Sequence, residues 1–137
     1  MIDTLKDLPG YALRRASTAM LADLNIRLEP LGVRHVEASV LLVIAGNPGV
    51  TQSKLGEVLG IQRANMTPLI ARLEERGWLA RTPIDGRSHG LILSAAGRDA
   101  RAAISAVVAS HELALINRIA PEHRSGFKAA LDALWVV

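Results

Sequence analysis

Cysteine is absent from the 137 residues, which removes disulfides, thiolate metal sites and any thiol-based oxidant sensor. Aromatic residues are nearly absent too: two Trp, one Tyr and one Phe. The apolar mass is therefore Leu, Ala, Val and Ile, side chains that suit helices packed closely on one another. Long hydrophobic runs are missing, and the longest, Val40 to Ala45, is far too short to cross a bilayer. The opening MIDTLKDLPG lacks a basic segment followed by an apolar stretch, so no targeting signal is expected and the cytoplasm is the expected compartment. The four His are scattered without ligand-spaced partners, so neither a metal nor a cofactor is expected. Ser88-His89 and Asp85 share one turn, and no Gly-rich phosphate loop or acid pair occurs. An enzyme is not expected.

What is present is a foldable, mildly basic chain. Half the residues are hydrophobic and the formal charge is +3, with a pI near 10.0. That balance suits a polyanionic partner. Apolar residues recur at helical spacing from Tyr11 to Leu28, between Pro9-Gly10 and Pro30. A second helix is expected from Arg34 to Ala45, stopped by Gly46-Asn47-Pro48-Gly49. Thr51 can cap a short helix through Leu59 that Gly60 closes. A fourth helix spans Gln62 to Arg76 and ends at Gly77. Trp78–Thr82 and His89–Leu93 are expected strands around the turn Ile84-Asp85-Gly86. Ser94 caps a long helix from Ala95 to Arg118, and Pro121 opens a last one toward Leu134. The fold class is mainly α with a small β-hairpin.

The pair Thr51–Leu59 and Gln62–Arg76 has helix-turn-helix dimensions. Leu55, Val58, Leu59, Ile61, Leu69, Ile70 and Leu73 are the expected buried face, with Gln62, Arg63, Asn65, Met66 and Thr67 facing outward. Arg pairs with guanine, Asn or Gln with adenine, and an apolar atom meets the thymine methyl. Those residue types at the leading end of a helix are what base reading in a major groove needs. The adjoining hairpin is basic, with Arg81, Arg87 and His89 opposed by Asp85. A guanidinium at a hairpin tip suits the negative potential of a narrow minor groove, and Asp85 is placed to hold Arg87 by a local ion pair.

Together these segments resemble the winged helix-turn-helix of the MarR family of bacterial transcriptional regulators. The residues that carry the likeness are Leu55-Gly56 to Gly60, Thr67 through Arg72-Leu73-Glu74-Glu75-Arg76-Gly77-Trp78-Leu79, Asp85-Gly86-Arg87-Ser88, and Leu93-Ser94-Ala95-Ala96-Gly97-Arg98. The resemblance implies that Gln62 to Thr67 enter the major groove, while the wing (Asp85, Arg87, Ser88, His89) reaches the minor groove. Thr51, Ser53 and Lys54 would touch phosphates, which position the protein without reading sequence; Arg72 and Arg81 are further backbone candidates. Three features depart from the family pattern. Pro68 lies inside the recognition helix, the wing is about two residues short, and Ala38, after Glu37, replaces a bulky aromatic.

The chain is expected to be a single unit, with a DNA-binding lobe at 34–98 and helical dimerisation regions at 1–33 and 99–137. Leu113, Ile116, Ile119, Phe127, Leu131, Leu134, Trp135 and Val136-Val137 form more apolar surface than so small a lobe covers. A homodimer follows, with recognition helices about 34 Å apart on a pseudo-palindromic duplex operator. The family likeness further implies a repressor released by a small aromatic or phenolic acid bound between the dimer helices and the lobe. Ala38 leaves space there, and Arg14, Arg15, His35 or His111 are candidates to meet its carboxylate. The competing expectation is a winged-helix protein-interaction module that does not bind DNA.

Overall fold

The computed structural model describes residues 1–136. Helix α1 (Pro9–Leu28) runs into a single 3-10 turn (Glu29–Leu31), then α2 (His35–Gly46), α3 (Gln52–Leu59) and α4 (Arg63–Glu75). The hairpin β1 (Leu79–Pro83) and β2 (His89–Leu93) follows, and then α5 (Ala95–Asn117), α6 (Pro121–Arg124) and α7 (Phe127–Trp135). Val137, the last residue of the expected apolar stripe, lies outside the described residues.

The local chemistry accounts for most boundaries. Pro9 sits in the first turn of α1, where its missing N–H costs nothing. The Thr51 hydroxyl caps α3 by accepting from the Lys54 amide at 3.1 Å, and the Ser94 hydroxyl caps α5 by accepting from Gly97 at 3.0 Å. Gly60 takes φ +66° where α3 stops, a conformation that side-chain-bearing residues rarely adopt. Helix α4 runs unbroken through Pro68, and the Thr67 hydroxyl donates to the Arg63 carbonyl at 3.3 Å.

The strands pair antiparallel, with Leu79 opposite Leu93 and Pro83 opposite His89. Their base is widened by a bridge that the sequence did not suggest: Val50 pairs with Leu91, and Leu91 donates to the Val50 carbonyl at 2.8 Å. That contact explains Gly90, where a Cβ would stand 2.3 Å from the Gly49 oxygen.

The core gathers Leu28, Val40, Leu41 and Ile44 with Leu55, Met66, Leu69, Ile70 and Leu73, closed by Leu79, Leu91, Leu93 and Ile104. Two expectations fail. Val58 is 57% exposed, because Leu55, Gly56 and Leu59 set the inward face of α3 and Val58 lies well off it. The expected last helix is two helices, interrupted at Ser125-Gly126, where the backbone leaves the helical register.

Candidate nucleic-acid interface

Gln62 immediately precedes α4 without a side-chain capping bond, and Gln62, Arg63, Asn65 and Thr67 are all exposed at its leading end. Met66 is not among them. It is 1% exposed and begins the inward stripe Met66, Leu69, Ile70, Leu73, spaced three, four and seven residues along the helix. Its side chain lies on Gly56, where a Cβ would stand 3.1 Å from the Met66 Cγ. The missing side chain at position 56 lets α3 and α4 approach closely. The expected thymine contact through Met66 is therefore withdrawn; it holds the two helices together from inside.

The outer side of that junction is polar. Gln52 at the start of α3 donates to the Thr67 hydroxyl at 3.1 Å, tying the helices across the turn. Gln52, Ser53, Gly56, Ile61, Arg63 and Met66 line a shallow cleft of about 260 Å³ beside it. Gln52 was not singled out from the sequence, because its role depends on a partner fifteen residues away that no local spacing reveals.

In the wing, Asp85 does something other than pair with the Arg87 guanidinium. One carboxylate oxygen accepts from the amides of Arg87 and Ser88, both at 2.8 Å. These two backbone hydrogen bonds hold the Asp85 carboxyl below the usual carboxylate range. Among the described residues no ion pair joins Asp85 to Arg87. Asp85 shapes the tip and leaves the Arg87 side chain exposed to solvent. Ser88 and His89 are exposed beside it.

The backbone-contact candidates divide by their intramolecular partners. Arg81 is held by Glu74 at 2.7 Å, Lys54 by Glu57 at 3.0 Å, and Arg72 loosely by Glu37 at 3.7 Å. Thr51 is a helix cap, and Ser53 is exposed. Among the described residues, Arg63 and Arg87 have no ion-pair partner, so the leading end of α4 and the hairpin tip each present an uncompensated guanidinium.

The five effector candidates are spread out. Arg14 and Arg15 lie over the Tyr11 ring on the exposed face of α1. His35 starts α2, with its amide donating to the Asn25 side chain at 2.8 Å. Ala38 is buried in the core. His111 is buried too, and its Nδ1 stands 2.9 Å from an Asp23 carboxylate oxygen, so the acid it meets is the chain's own. The open cleft where α1 turns into α2 is lined instead by Asn25, Ile26, Glu29, Gly32, Val33, Arg34 and Glu37.

Residues 31–88, from the end of the 3-10 turn through α2, α3, α4 and β1 to the hairpin tip, match the model of the MarR family. The solved structure of the transcriptional repressor CouR bound to a 23-mer DNA duplex is 32% identical, covers 98% of this chain and 99% of its own, and superposes with a TM-score of 0.88. The chain belongs to the MarR family. CouR with p-coumaroyl-CoA is similar over the whole of this MarR chain, at 30% identity and a TM-score of 0.88. Among curated relatives, an HTH-type transcriptional repressor of Mycobacterium tuberculosis is 27% identical over 127 residues, 91% of each chain. A structure of that protein with salicylic acid has a TM-score of 0.75, at 27% identity over 94% of this chain and 98% of its own. The family and these relatives are transcriptional regulators. Among the described residues of this MarR protein, no helix is long and apolar enough to cross a membrane.

Proposed function

We propose that this MarR-family chain is a cytoplasmic, homodimeric repressor that binds a pseudo-palindromic duplex operator and leaves it when an aromatic acid or its coenzyme A thioester binds. The observation that carries DNA reading is the exposed row Gln62, Arg63, Asn65 and Thr67 on α4, next to a wing whose Arg87 has no ion-pair partner. Residues 34–98 act as the DNA-binding lobe. Segments 1–33 and 99–137 form the dimerisation region, supported by exposed Leu5, Leu8 and Leu13 at one end and Leu113, Leu134, Trp135 and Val136 at the other. The effector class rests on the p-coumaroyl-CoA and salicylic acid complexes of the relatives.

The test selects duplexes from a randomised pool with the purified protein and then measures their affinity as salt is raised. A DNA reader loses affinity steeply, because each neutralised phosphate releases counterions. A protein-interaction module selects nothing. Arg87→Ala is expected to weaken binding about tenfold and to lower the salt slope by about one, with dimerisation unchanged. Salicylate and p-coumaroyl-CoA are then titrated into the complex to see which releases the duplex.

A further inference from the structure

We propose that Arg76, outside the row that reads bases, is a positioning residue that bolts the trailing end of the recognition helix to the end of the dimerisation helix. It thereby fixes the angle at which α4 meets DNA. This inference rests on the DNA-binding reading above and deepens it.

The bolt follows from how α4 ends. Gly77 adopts φ +76°, its amide donates to the Glu74 carbonyl at 2.9 Å, and the Trp78 amide returns to the Leu73 carbonyl at 3.1 Å. This paired closure is the Schellman motif. It folds the indole of Trp78 back under Arg76, whose guanidinium carbon lies 3.8 Å from the ring centre. Stacked in that plane, the guanidinium aims both terminal nitrogens across the molecule. One donates to the Gly32 carbonyl at 2.6 Å and the other to the Leu31 carbonyl at 3.3 Å. Leu31 and Gly32 close the 3-10 turn that carries α1 into α2, and Gly32 sits at φ +68°. A Cβ there would stand 3.3 Å from the same guanidinium. A single side chain thus joins the recognition helix to the last turn before the lobe. Arg72, one turn earlier, stands 3.7 Å from Glu37 of α2, a weaker contact within the lobe that leaves Arg76 as the tie to the turn.

Geometry makes this junction matter. Helix α4 has 13 residues, a length of about 20 Å at 1.5 Å per residue. A tilt of about 10° at the bolted end therefore moves the reading end by roughly 3 Å, more than a base-edge hydrogen bond tolerates. In a two-fold dimer both helices tilt together, so the change appears as an altered distance between the half-sites they read. A lysine at position 76 keeps the charge but lacks the planar fork that stacks and donates twice.

The experiment uses the full-length protein and a duplex selected by the wild type, together with versions whose half-sites stand one base pair closer or farther apart. One base pair shifts the sites by about 3.4 Å and about 35°. Wild type is expected to discriminate sharply against both altered spacings. Arg76→Ala is expected to bind the native spacing about tenfold more weakly and to discriminate little among the three, with the dimer and the melting midpoint close to wild type. Arg76→Lys, which spares packing, is expected to fold as wild type and to show the same flattened spacing preference with a smaller affinity loss. Wild-type affinity and spacing preference in both variants would overturn the bolt. So would a uniform affinity loss with the spacing preference intact, which marks a merely structural residue. A wild type that selects no duplex would overturn the DNA reading first and the bolt with it.

Discussion

Most of the buried hydrophobic residues among those described lie from α2 to β2, whereas the terminal segments, rich in apolar side chains, bury only Leu28, Val33 and Ile104. The lobe from α2 to β2 gathers most of the core, with Leu28 of α1 and Ile104 of α5 completing it. Its strands are paired, and its core residues come from five elements, α2, α3, α4, β1 and β2. Helix α7 has no buried residue, and α6 and α7 pack chiefly on each other. Leu134 and Trp135 are 68% and 71% exposed. The difference teaches that the two regions answer to different equilibria. The lobe is held by core packing to which α1 and α5 contribute, and in the proposed dimer a second copy would cover the exposed apolar residues at the ends, whose order would then depend on protein concentration.

The comparison breaks most sharply at Gly97. A Cβ there would stand 2.0 Å from the Trp78 carbonyl oxygen, and backbone on both sides leaves no flexible group to yield. Gly97→Ala is expected to cost about 3 kcal/mol or more, through overpacking. It should lower the urea midpoint of the lobe, and a midpoint equal to wild type would show that α5 can move off β1 freely.

At the ends, the double change Leu134→Asp with Trp135→Asp should leave that packing intact and abolish the dimer. Sedimentation is expected to report a monomer, and the melting midpoint should lose its dependence on concentration. Duplex affinity is expected to fall about a hundredfold, because two tethered lobes bind far more tightly than one. A dimer that survives both aspartates places the interface elsewhere.

Asp23 joins the two terminal segments to each other within one chain. Its carboxylate accepts from Arg27 at 2.8 Å and lies 2.9 Å from the buried His111 of α5, and these hydrogen bonds, that from Arg27 foremost, hold its pKa below the ordinary 3.8. The sign follows from linkage: a depressed carboxylate adds stability above its unfolded value, and that stability is lost as pH falls through the folded one. Asp23→Asn is therefore expected to be less stable than wild type by a constant margin near neutrality. The gap should narrow only below the ordinary carboxylate value of 3.8. Parallel urea titrations of the two proteins at several pH values measure it, and a gap that widens toward acid would refute the assignment.

The sequence made the lobe legible because its signals are local. Capping Thr51 and Ser94 and the glycines after α3 and α4 each report on the residues beside them. The candidate site was half legible for the same reason. The chemistry of Gln62, Arg63 and Asn65 is visible in their side chains, but the inward turn of Met66 depends on α3 leaving room at Gly56. Asp85 and Arg87 suggested an ion pair from spacing alone, while the backbone of the tight turn offered two amides nearer to the carboxylate. The Val50 bridge, the Gln52–Thr67 tie and the Arg76 contacts join residues distant in the chain, beyond any periodicity.

The smallest expected effect sharpens the boundary between packed and open surface within one helix. Val58 looks like a core residue by type, yet it is 57% exposed on α3, one position from the half-buried Leu59. Val58→Ser should therefore change the urea midpoint by less than about 0.5 kcal/mol equivalent, as exposed substitutions usually do. Met66→Ala, from the neighbouring helix, should cost about 2–3 kcal/mol, because the space it fills against Gly56 would stand empty. If the two losses were equal, the inward face of α3 would have to be rotated toward Val58. Gly56 would then turn away from α4, and the close approach of Met66 to α3 would be lost.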